Sequence, residues 1–127
     1  MDCWVVFTIS GDGINPELFT RHLGMEPNRI VSPTEDNDYK SLWQISSSLK
    51  GKESPEDHFM DILRRLLPVR EKLKKFTKDA KLDFYCAVSK PSGYSEVLCI
   101  NPEILSVIGH IGATLEIDFQ ITSGEMI

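Results

Sequence analysis

Segments able to cross a membrane, bind a metal or perform catalysis are scarce in this sequence. No apolar run approaches the roughly 20 residues that a membrane-spanning helix needs. The opening stretch, MDCWVVFTIS, carries an acid where a secretory leader would be basic, and its apolar run is short for a signal peptide. The expected compartment is therefore the cytoplasm. Cysteine is sparse: Cys3, Cys86 and Cys99 make an odd number with no C-x-x-C pair. All three fall in apolar, strand-like runs, so buried reduced thiols are expected. His22, His58 and His110 are the only histidines, and neither H-x-x-x-H nor H-E-x-x-H occurs. No metal site and no cofactor are expected.

Catalytic spacing is missing too. There is no G-x-S-x-G elbow, and Gly11-Asp12-Gly13 lacks both the Lys-Ser/Thr of a P-loop and the third glycine of a dinucleotide fingerprint. Asp12 would repel a phosphate. The expectation is a protein without catalytic residues, not an enzyme. An alternative stays open: an enzyme or small-ligand binder whose site is assembled from scattered residues.

What is present belongs to a globular chain. With 127 residues, 41% of them hydrophobic and 26% charged, the sequence fits one domain over 1–127 with a substantial core. Its net charge of -5 is uneven. Eight of the 14 basic residues lie within 64–81 against only Glu71 and Asp79, which leaves that stretch at +6 and the remainder at -11. The basic stretch is the solvated side of an amphipathic helix, and Phe76, the aromatic nearest to it, is part of the apolar stripe. With so acidic a body, neither nucleic acid nor a membrane surface is an expected partner.

Periodicity orders the elements. Residues 3–10 alternate as a strand, with Cys3, Val5, Phe7 and Ile9 on one side and Trp4, Val6 and Thr8 on the other. Ile14-Asn15-Pro16-Glu17 then reads as a helix start, with an Asn cap, Pro at the first position and an acid in the first turn. Gly24 is placed to end that helix. Residues 25–40 read as a turn-rich acidic loop with a short extended piece at 29–31, and 41–46 as a second strand. Ser54-Pro55-Glu56-Asp57 is a capping box. In the apolar stripe that follows, from Phe59 through Leu66 to Phe76, Pro68 predicts a kink or two abutting helices, and the phase kept across it favours the kink.

Residues 82–89 and 95–100 read as third and fourth strands joined in a hairpin around Pro91-Ser92-Gly93. A second copy of INPE, Ile100-Asn101-Pro102-Glu103, starts a helix that Gly109 and Gly112 end. Whether the two copies record an internal repeat or convergence on good capping chemistry stays open. Residues 114–122 alternate without fault, Leu115, Ile117, Phe119 and Ile121 being the side expected to face the core. The fold class is α+β: a two-layer sandwich of a mainly antiparallel five-stranded sheet with helices on one face. The open face would carry Trp4, Tyr85, Glu116 and Asp118, aromatic anchors among acids. These four are the candidate binding residues, and they suit a basic protein partner.

Phe7-Thr8-Ile9-Ser10-Gly11-Asp12, Leu23-Gly24-Met25-Glu26-Pro27 and Trp43-Gln44-Ile45-Ser46 carry a resemblance. So do Leu63, Leu66-Leu67-Pro68 and the ending Gly112-Ala113-Thr114-Leu115-Glu116-Ile117-Asp118. Over nearly the whole chain the sequence resembles the bacterial domain-of-unknown-function family numbered 4279. It departs from that family at residues 28–40, acidic here where a basic turn is expected. The resemblance implies, at the level of class alone, an immunity protein that neutralises a toxin, with the partner a basic toxin domain.

Overall fold

The structure is a computed structural model, and it describes residues 2–32, 41–91 and 97–121. Five strands form one sheet: β1 (Asp2–Gly11), β2 (Arg29–Val31), β3 (Ser41–Ser46), β4 (Lys81–Lys90) and β5 (Thr114–Ile121). Their order across the sheet is β2-β3-β1-β4-β5. The helices are α1 (Pro16–Leu23), α2 (Pro55–Leu66), α3 (Arg70–Phe76) and α4 (Pro102–His110).

Alternation in β1 dictates its central place. Cys3, Val5, Phe7 and Ile9 are all buried, and Phe7 lies opposite Ile45 on one side and Phe84 on the other. The rings of Phe7 and Phe84 sit 4.8 Å apart, and Phe59 of α2 reaches to 6.1 Å from Phe84. These contacts fix which face the helices cover. Trp43 anchors α1 to the same face, its indole N–H donating to Thr20 Oγ1 at 3.0 Å.

Both INPE segments are caps. Asn15 Oδ1 accepts from the Glu17 N–H at 3.2 Å, and Asn101 Oδ1 from the Ile104 N–H at 2.9 Å. Ser54 Oγ caps α2 through the Asp57 N–H at 3.1 Å. Gly24 ends α1 with φ of 67°, a conformation that favours glycine, while its N–H donates to the Thr20 carbonyl. In α4, Gly109 lies inside the helix, and Gly112, at φ of +78°, makes the turn beyond it.

Several expectations are corrected. At Pro68 the favoured kink gives way to the other expected form, two abutting helices: Leu67–Val69 form a 3₁₀ turn that separates α2 from α3. Proline removes a backbone donor and crowds the turn before it, so the chain tightens there instead of bending. The expected strand at 95–100 is absent over 97–100, and 92–96 lie outside the described residues, as does the second half of the expected acidic loop, 33–40. The fifth strand is β2, the short extended piece. β4 therefore has no hairpin with 95–100. It pairs instead in parallel with β5, reached through α4, Cys86 lying beside Ile117. The other three pairings are antiparallel, which leaves the sheet mixed and mainly antiparallel.

Cys3 and Cys86 are buried free thiols as expected, but Cys99 is exposed because its segment is not a strand. In the apolar row of β5, Leu115 packs against the core, but the helices leave the rest open: Ile117 is 38%, Phe119 52% and Ile121 60% exposed. The neighbouring row on β4, Phe84, Cys86 and Val88, is fully buried. The helix layer reaches Leu115 at the start of β5 and stops short of the rest of this edge strand.

Candidate functional site

Registry builds the open face from rows that run across the strands. Trp4 lies beside Ala87, and Ala87 beside Asp118; Val6 lies beside Tyr85, and Tyr85 beside Glu116. The four candidate residues thus fall in two adjacent rows. Trp4 is 42% exposed, Tyr85 and Asp118 are half-buried, and Glu116 is exposed. Between them Ala87 is fully buried although it faces outward. A small residue there lets its larger neighbours form a continuous surface.

Tyr85 and Asp118 are bonded to each other. The phenol O–H donates to Asp118 Oδ2, which also accepts from Gln120 Nε2 at 3.1 Å. The Tyr85 bond, then that of Gln120, holds the Asp118 carboxyl below its usual range. The same bond to Asp118 raises the Tyr85 phenol above its own. The aromatic ring is thereby fixed in place, and Asp118 stays charged at neutral pH.

Asp83 was not singled out by the sequence, yet it is the most perturbed acid on this face. Burial, and then the charge of Glu116 beside it, push it up to about 6, against the opposing pull of Lys81. Its Oδ1 is buried with no hydrogen-bond partner. Lys81 lies 3.9 Å from Glu116, an exposed contact that offsets little of the crowding. Asp83, Glu116 and Asp118 thus crowd the β4–β5 side with negative charge. Toward β3 the face turns neutral, Gln44 Nε2 donating to Thr8 Oγ1 at 2.9 Å.

Elsewhere the polar groups tie elements together. His58 is fully buried, its Nδ1 2.7 Å from Ser47 Oγ, and its Nε2 has no partner. Among the described residues no acid orients the ring as a triad would require, and the pair joins the β3 exit to α2. Arg65 donates to the Ser46 carbonyl at 2.7 Å and to Asp61 at 3.1 Å, fastening the same junction. Burial works against the Asp61 charge, but the Ser48 N–H and Arg65 outweigh it and hold the carboxyl below its usual range.

A cleft of about 420 Å³ opens where Gly11-Asp12-Gly13 leads into α1. Its apolar wall includes Leu18, Phe19 and Phe76, and His22 stacks on Phe76 with ring centres 3.7 Å apart. Lys75 and Lys78 stand at its rim with Asp12 and Asp79. Sequence reasoning assigned Phe76 to the apolar stripe and Lys75 and Lys78 to the solvated side of the same helix, and only tertiary packing brings them beside α1. Among the described residues no group of three or more His, Cys, Asp or Glu side chains is placed to hold a metal ion. No helix among them is long and apolar enough to cross a membrane.

The fold and face together define a small α+β domain with one covered and one open sheet face. Residues 1–122 match the family described as Domain of unknown function (DUF4279), and the chain belongs to that family. Neither the curated proteins nor the solved structures compared with the chain give a match.

Proposed function

We propose that this chain is a non-catalytic protein-binding module that uses its open sheet face to hold a basic partner. The observation that carries the reading is the pair of rows joining Trp4, Tyr85, Glu116 and Asp118 into one patch. Aromatic side chains dominate interface energetics when a partner buries them. Crowded carboxylates speed encounter with a cationic surface and orient it. A toxin's basic domain is the partner class that fits, since neutralising it needs a complementary surface and no chemistry. Such an immunity role would be exercised in the cytoplasm of a bacterial producer.

The test is affinity capture from the native host followed by titration of the captured protein. Trp4→Ala and Tyr85→Ala should each weaken binding by more than about 1 kcal/mol without unfolding the chain. Asp118→Lys should slow association, and added salt should weaken the wild type. A dissociation constant unmoved by either aromatic substitution would place the interface elsewhere.

The cleft beside α1 supports a second reading, a small-ligand site. Its volume and its aromatic wall, with two lysines and two aspartates in balance around it, suit a small aromatic ligand. Thermal shift against a panel of aromatic acids, amines and neutral analogues, with Phe76→Ala as control, tests it.

A further inference from the structure

β5 is the last strand of the sheet, and no other strand among the described residues pairs with its outer edge. Eight residues long, it contains no proline and no basic residue. An edge of this kind offers a ladder of free backbone donors and acceptors. Each of its two faces adds side-chain information. Toward the helices, Ile117 and Phe119 continue the buried rows of Cys86 and Val88 into solvent, and Ile121 follows them beside Lys90. Toward the open face, Glu116 and Asp118 extend the rows of Tyr85 and Ala87.

From these features we infer that β5 takes up an extended strand from a partner protein, one that alternates basic and apolar residues. Its apolar side chains would lie beside Ile117, Phe119 and Ile121, completing the row that the helix layer leaves uncovered. Its basic side chains would lie beside Glu116 and Asp118 on the other face. Backbone hydrogen bonds supply adhesion in this mode, and alternate side chains supply selectivity. The inference deepens the surface reading above by naming how a basic protein would attach.

Charge also decides against a second copy of this chain as the occupant. Two β5 strands paired antiparallel about Ile117 set Glu116 against Asp118 twice over. Paired about Asp118, they set that residue against itself. Like charges directly opposite destabilise a pair. A register centred on Phe119 avoids the clash but uses only residues 117–121. A strand with basic residues satisfies both faces over the full length.

The probe is an octapeptide alternating lysine and valine, titrated into the intact protein and followed by amide NMR. A block-ordered peptide of the same composition and an alternating glutamate–valine peptide are the comparisons. The alternating basic peptide should perturb amides of 114–121 and bind on the order of tenfold tighter than the block peptide, whose side chains cannot sort to two faces. Phe119→Glu should abolish the effect. Should that variant lose its folded spectrum, Phe119→Thr, which removes the apolar contact without adding charge, should weaken it. Equal binding of both basic peptides, or perturbations away from β5, would overturn the inference. So would a dimer of the free protein paired through β5. A host protein captured through Trp4 and Tyr85 whose footprint spares the β5 amides would leave the surface reading standing and remove the strand alone.

Discussion

The two edges of this sheet are built differently. β2 is three residues long, follows Pro27 at one residue's remove, and begins with an exposed Arg29. It is also pinned: the Asn28 N–H donates to the Gln44 carbonyl at 2.7 Å, and Asn28 Oδ1 accepts from the Ser46 N–H at 2.8 Å. Short length, nearby proline and a basic residue are the usual means by which an edge is made unattractive to other strands. β5 has none of them. It is eight residues long and keeps Phe119 and Ile121 more than half exposed. One edge carries features that discourage pairing, and the other carries none of these and is flanked by acids.

The largest expected effect separates the covered rows from the uncovered one. Phe84 is fully buried between Phe7 and Phe59, so Phe84→Ala should cost about 3–5 kcal/mol. Phe119→Ala, one strand beyond, should cost less than about 1 kcal/mol, because a half-exposed ring loses little burial. Urea unfolding of the two variants checks this, and equal costs would mean that the β5 row is packed.

Capping comes next and localises the effect. Asn101 caps α4, the helix that leads into β5, and its N–H also donates to Glu56 Oε2 at 3.1 Å. Asn101→Ala should cost roughly 1 kcal/mol and speed amide exchange in β5. Asn15→Ala, at the cap of α1, should cost a similar amount and leave β5 exchange unchanged.

The smallest effect concerns charge crowding beside β5. Asp83 sits at about 6 in the fold, above the range of an unfolded chain, so the native state holds its proton more tightly. Stability from this group is therefore present at low pH and lost as pH rises between about 4 and 6. The full shift would correspond to about 3 kcal/mol, which solvent screening at this partly exposed site reduces to about 1. Asp83→Asn should stabilise the protein by about that amount at pH 7 and flatten the pH profile over that window. Asp61 has the opposite sign: its contribution is present above the normal carboxylate range and is lost as pH falls through its lowered value. Denaturation midpoints across pH 3–8 separate the two.

Much of this architecture is legible in the residues. The alternation of Cys3 to Ile9, the capping box at Ser54 and the two Asn caps are local signals, and local signals decide where elements start and which way side chains point. The candidate patch was legible for the same reason, since strand parity alone puts Trp4 and Tyr85 on the open face. Non-local facts were not. Residues 95–100 have the apolar composition of a strand, but pairing depends on neighbours, and β4 already has β1 and β5 beside it. The alternation of β5 correctly gives its two faces, yet nothing in it says that the helix layer covers Leu115 and leaves Ile117, Phe119 and Ile121 open. Asp83 looks like any alternating polar residue until Glu116 is brought beside it by a parallel crossover. The His22–Phe76 stack joins residues more than fifty positions apart, which no periodicity reports.

The most direct test of the contrast between the edges is amide hydrogen exchange at both of them in one sample, with and without the alternating lysine–valine peptide. Exchange should slow along β5 while Arg29, Ile30 and Val31 of β2 are unaffected. Equal slowing at both edges, or none at β5, would contradict it.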